Sequence, residues 1–157
     1  MQSTDKPAAP AAVSIDTLKA AQNFPAAIGA GLAVAVGGAI LWAVVTVGTH
    51  LKLGIMAIAI GFLVGKSIRA AGKGIDDKFG YLGAGCSFIG CLLGNILCLA
   101  AFYANARHIS FMEAFSALDA DIFARALTRD PMDLVFYAIA IYEGYKFSFK
   151  YRLRKPE

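Results

Sequence analysis

The sequence predicts an all-α membrane protein: a four-transmembrane-helix bundle with an amphipathic interfacial helical segment between helices 3 and 4. Three observations carry that expectation. Apolar residues make up 58% of the chain and charged residues 17%, against about half and about a quarter in an ordinary globular domain. The apolar residues are gathered into four runs near the ~20 residues that a helix needs to cross a ~30 Å hydrocarbon core. Sixteen glycines accompany that hydrophobicity, a combination that favours close-packed membrane helices over a soluble core.

Residues 1–24 read as a cytoplasmic tail. Its first part is rich in Ala and Pro and matches no folded pattern, whereas "SIDTLKAAQ", Ser14 to Gln22, offers a short amphipathic turn or two. Asp5, Pro7, Pro10 and Asp16 interrupt any signal-peptide core, so the first span is expected to serve as its own insertion signal. That span covers about 25–48, with Asn23 before it and Pro25 suited to the first helical turn. The second covers about 51–71. The turn at Gly48-Thr49-His50 is so short that these two must form a tight antiparallel hairpin. The third runs over about 79–104, and the fourth over 131–149.

Four spans bring both ends and the 72–78 loop to one side. Eleven basic residues gather there: Lys6, Lys19, Lys66, Arg69, Lys73, Lys78, Lys146, Lys150, Arg152, Arg154 and Lys155. Four lie opposite: Lys52, Arg107, Arg125 and Arg129. Positive charge stays inside, so both termini, including the basic tail 150–157, are expected in the cytoplasm. In a bacterial cell this is the inner membrane. Because the charge is sorted by side, the net +4 is no nucleic-acid signal.

The outer segment 108–129 alternates like a surface helix. Phe111, Phe115, Leu118, Ile122 and Ala126 recur at helical spacing, and Ser110 with Glu113 forms a capping box. One or two helices are expected, lying in the interface or lidding the bundle.

Small residues at four-residue spacing let membrane helices approach closely. Gly61 and Gly65 stand on the second span, Gly90 and Gly94 on the third, and Gly29, Ala33 and Gly37 on the first, with Ala30 and Gly38 on its next row. Packing or oligomer contacts are the expectation for these ridges, and no chemistry. Cys86, Cys91 and Cys98 share one apolar run at spacings that match neither a redox nor a zinc motif, and buried cysteine mostly behaves as a small hydrophobe. His50 and His108 sit on separate outer loops in no metal pattern. Neither metal nor cofactor is expected.

Against this background the polar residues inside the spans stand out. At ~1.5 Å per residue, Glu143 lies about 18 Å below Pro131, and Lys66 about 20 Å below Leu53. The two therefore share a level, with Lys146 one turn further down. Asn95 belongs nearer the outer side, with Thr46 and Asp133. Glu143, Lys66, Lys146 and Asn95 make up the candidate intramembrane polar site. Lys66, or else Lys146, is the expected partner of Glu143. Three uses are open: an ion pair fixing helix register, a proton or cation site, and a contact to lipid headgroups. Tyr137, Tyr142, Tyr145, Tyr151 and Trp42 read first as interface aromatics.

"LGIMAIAIGFLVGKSIRAAGKGID", "GYLGAGCSFIGCLLGN" and "PMDLVFYAIAIYEGYKFSF" resemble a group of uncharacterised bacterial four-span membrane proteins, over about Gly37 to Phe149. Some members carry a zinc-binding module ahead of the spans. This chain has no N-terminal Cys/His cluster, so no zinc site carries over. The resemblance implies the topology and draws attention to "GKG" and "YEGYKFS".

No phosphate loop, metal-protease motif or nucleophile–base constellation is present in the spans, and no enzyme is expected. The leading expectation is a small integral inner-membrane protein acting as a subunit, scaffold or accessory factor of a membrane complex. Its expected partners are anionic lipid at the basic face and further copies or other subunits. The alternative is a homo-oligomeric channel or transporter in which the Glu/Lys site lines a water-filled path. Four short spans do not enclose a pore alone, so that alternative requires several copies.

Overall fold

The computed structural model describes residues 15–49, 54–119, 121, 122, 124 and 131–150. Among them there are helices and no strands. His50, Lys52, Tyr151 and the tail 151–157, together with Lys6, Arg125 and Arg129 of the charge count, lie outside the described residues.

Helix α1, Ile15–Ala20, is a single short piece ahead of the bundle. Helix α2, Phe24–Thr49, opens on Asn23, whose side-chain oxygen accepts from the Ala26 N–H at 3.0 Å, with Pro25 inside the first turn where its missing N–H costs nothing. Helix α3, Ile55–Gly72, ends at Lys73 in the left-handed region (φ 49°), whose N–H closes on the Arg69 carbonyl at 3.1 Å. Helix α4, Asp77–Arg107, stops in the same way at His108 (φ 53°). Helix α5, Phe111–Ser116, carries the expected capping box, with Ser110 and Glu113 bonded reciprocally. The Ser110 backbone N–H, and then its hydroxyl, hold the Glu113 carboxyl below its ordinary value. Helix α6 covers Pro131–Phe147.

Helices α2, α3 and α4 are long and apolar enough to cross a membrane. Large apolar side chains such as Ile40, Leu41 and Val44 of α2, Leu63 of α3 and Phe88 of α4 stand exposed on them. A helix that is apolar all round needs an apolar surround, and these faces fit a multi-pass membrane protein. The 17 residues of α6 rise about 25 Å.

Contacts between helices set their directions. Gly31 of α2 meets Ile68 of α3 and Gly38 meets Ile60, so these two run antiparallel. Gly90 of α4 lies on Ala35 of α2, and Gly94 on Trp42, so α2 and α4 run parallel. Gly54 against Phe136, Gly61 against Ala140 and Gly65 against Phe147 make α3 and α6 parallel as well. The α4–α6 pair is antiparallel, with Gly80 on Phe149 and Asn95 bonded to Tyr137. The chain thus runs up and down four times. α3 and α4 meet across the middle, whereas α2 and α6 do not touch.

One end of the bundle is tied together. The Asn23 N–H donates to the Gly72 carbonyl at 2.9 Å, and the Lys150 N–H to the Gly74 carbonyl at 2.8 Å. Phe79 is fully buried beneath this loop, edge-on to Phe24 at 5.3 Å. A Cβ on Gly74 would enter the Phe79 ring, so only glycine lets the loop close over it. Here "GKG" and the end of "YEGYKFSFK" meet.

At the opposite end the described residues leave a groove. Antiparallel pairing sets the first turn of α3 about level with Ala43, and the last turns of α2 and α4 continue past it. A groove of about 550 Å³ runs between them, lined by Ile40, Val44, Val47, Leu97 and Ala101 and edged by Phe111 of α5.

Candidate functional site

The α6 face turned into the bundle is nearly bare backbone. Ala140 and Gly144 are buried there, with Tyr137 one turn earlier. A Cβ on Gly61 would lie 2.8 Å from Ala140 Cα, and one on Gly65 3.3 Å from the Glu143 carbonyl oxygen. On the other flank a Cβ on Gly83 would collide with Ser148 Oγ and the Gly144 carbonyl, and one on Gly144 with Ser87 Oγ and the Gly83 carbonyl. The Ser148 hydroxyl, itself part of this crowding, donates to the Gly144 carbonyl at 2.6 Å. Ser87 Oγ, fully buried at the same crossing, has no hydrogen-bond partner among the described residues. Gly83 and Gly144 were not singled out from the sequence. The signal available was the series Gly80, Gly83, Ser87, Gly90, Gly94 on one side of the third span, beside the four-residue Cys86–Gly90–Gly94–Cys98 stripe.

Glu143 lies at this crossing, partly buried, with Oε2 shut from solvent and without a hydrogen-bond partner among the described residues. The expected ion pair is not formed. The Lys66 ammonium sits over the Phe62 ring, 4.9 Å from its centre, and that of Lys146 over Tyr142 and Phe147 at 5.6 and 5.9 Å. The reason is the closeness of the crossing. With Gly65 against the α6 backbone, the Glu143 main chain is what α3 meets, while Lys66, one residue round the helix, is exposed. Phe62 and Phe147 close the seam edge-on at 5.0 Å, so a continuous chain of contacts runs Lys66–Phe62–Phe147–Lys146.

Asn95 is not part of this group. Its side-chain amide donates to the Tyr137 hydroxyl, six residues up α6 from Glu143, about 9 Å on the helical rise. Tyr137 is 5% exposed and Trp42, under Gly94, 6%. Both are interior side chains and not the interface anchors expected of them, because Gly94 of α4 leaves room for the Trp42 ring and the Asn95 amide holds the Tyr137 hydroxyl inside. Tyr142 is exposed, and Tyr145 stacks edge-on with Tyr81 and Phe149.

Of the packing glycines, Gly61, Gly65, Gly90 and Gly94 all lie in helix contacts. Gly37 does not: a Cβ there meets nothing within 4 Å, and the same holds for Gly29. The inward face of α2 is instead Ala27, Gly31, Ala35, Ala39, Trp42 and Thr46. The three cysteines are buried thiols outside any disulfide, with Cys91 Sγ 4.0 Å from the Ala57 carbonyl. Among the described residues no three His, Cys, Asp or Glu side chains lie together as a metal site would require.

The chain matches no protein-family model, no curated protein and no solved structure.

Proposed function

We propose that this chain is a small integral protein of the bacterial inner membrane that serves as a subunit, scaffold or accessory factor of a membrane complex. In this reading α6 is the fourth span, at its limit of length, and α5 rests in the outer interface on exposed Phe111, Met112 and Phe115. The tied end, carrying Lys19, Lys66, Arg69, Lys73, Lys78, Lys146 and Lys150, faces the cytoplasm. The positive-inside bias supports that orientation, and anionic lipid suits it. The likeness to bacterial four-span proteins agrees with the same topology.

The observation that carries the reading is the seal around Glu143. Backbone lies against backbone at Gly61, Gly65, Gly83 and Gly144, and the groove at the outer end is lined by α2, α4 and α5 residues, away from Glu143 and Lys66. Close backbone packing around the carboxylate supports a bundle that works through its outward faces. The rival, a homo-oligomeric channel or transporter, draws support from the unpartnered Oε2 of Glu143 alone. The two separate in liposomes. Purified protein is expected to leave ion and proton flux at the lipid background, and Glu143→Gln to change nothing. Flux in the wild type that disappears in a folded Glu143→Gln variant would establish the channel instead.

A further inference from the structure

We infer that the seam between α3 and α6 is a binding site for one acidic phospholipid, with its phosphate held by Lys66 and Lys146. Both lysines are exposed, and among the described residues neither forms an ion pair with a carboxylate. The acid nearest in sequence, Glu143, buries Oε2 and forms no ion pair with either lysine. Each lysine ammonium lies over an aromatic ring, Lys66 over Phe62 and Lys146 over Phe147, and those two rings meet edge-on across the seam. The lysines therefore flank one aromatic patch contributed by two different helices. Lys66 precedes the end of α3 by six residues, about 9 Å, and Lys146 stands one residue before the end of α6. That is the depth at which lysines reach from the hydrocarbon edge to the headgroup layer. Beside them Leu63, Ile139 and Tyr142 present apolar surface to the surround, where an acyl chain would lie. A phosphodiester supplies the anion that this pair lacks, and its two tails supply the apolar contact, so one phospholipid answers both features.

The inference depends on the membrane placement proposed above and not on the scaffold role, so the outcome of the flux measurement leaves it standing. The test is competitive retention. The full chain is reconstituted with equimolar phosphatidylglycerol and phosphatidylcholine, extracted in mild detergent, and the lipids still bound are weighed by native mass spectrometry. Recovery in the membrane fraction and helical circular dichroism report the placement separately. The wild type is expected to keep phosphatidylglycerol in preference. Lys66→Gln and Lys146→Gln should each weaken that preference about fivefold, the effect of one lysine near an anionic surface, and the pair together should abolish it. Lys19→Gln with Lys73→Gln removes equal charge at the same end and should leave it intact. Should the double glutamine variant fail to fold, Lys66→Arg with Lys146→Arg is expected to retain the preference. A wild type that binds both lipids equally overturns the site. So does a folded double variant that still prefers phosphatidylglycerol, a folded arginine pair that has lost the preference, or a control pair that loses it as fully.

Discussion

Two stripes of small residues in this protein look alike in sequence and do opposite things. Gly83, Gly144, Gly61 and Gly65 lie where α6 crosses α4 and α3, and a single Cβ at any of them would strike a neighbouring helix. Gly29 and Gly37 on α2, with Ala33 between them, face outward. The first group is the reason three helices can share one narrow crossing. The second contributes nothing to the inside of the bundle. Spacing alone does not separate them, because each glycine is defined by what lies across from it.

Substitutions can break that contrast. The largest effect is expected for Gly144→Val. Its new side chain meets Ser87 Oγ and the Gly83 main chain, and a backbone neighbour cannot rotate away as a flexible side chain can. Overpacking of this kind costs about 3 kcal/mol, to be measured as a fall in thermal midpoint in nanodiscs. A midpoint equal to the wild type would mean that α4 and α6 do not cross there.

A smaller effect is expected one level up the same seam, where a hydrogen bond rather than a glycine joins the helices. Asn95→Ala should cost about 1 kcal/mol, and the coupling to Tyr137→Phe in a double-mutant cycle should be about 0.6 kcal/mol, the size usual for interhelical bonds in membranes. Zero coupling would remove the bond from the account of the bundle.

The smallest effect belongs to the outward stripe. Gly37→Leu has open space around it and should leave the thermal midpoint of the monomer unchanged, within about 0.5 kcal/mol. A strong destabilisation would show that α2 is covered by another copy or another chain, which would turn this stripe into an assembly face.

Much of the candidate site was legible one residue at a time. Glu143, Lys66 and Lys146 stand out because charge is expensive inside an apolar run, and helical rise alone sets all three near one level. Their relationship was not legible. Shared depth allowed Glu143 to pair with Lys66, yet depth says nothing about rotation, and the close α3–α6 crossing turns Lys66 onto Phe62 and the carboxylate inward. Trp42 and Tyr137 show the same limit. Their amphipathic chemistry suits an interface, but the glycine opposite Trp42 and the Asn95 amide opposite Tyr137 draw them inside.

The sequence by itself determined the helical class, three spans of sufficient length and apolarity, the sorting of basic residues by chain segment and the capping box at Ser110. These are properties of one segment and its solvent, governed by backbone satisfaction, transfer energy and local hydrogen bonds. Only the tertiary structure decided which glycines are contacts, which carboxylate oxygen lacks a partner, and that two lysines share an aromatic seam. Those depend on how each helix is turned about its own axis. In a surround as apolar as the side chains themselves, that rotation is chosen by close packing against neighbours, which hydropathy along one chain does not encode.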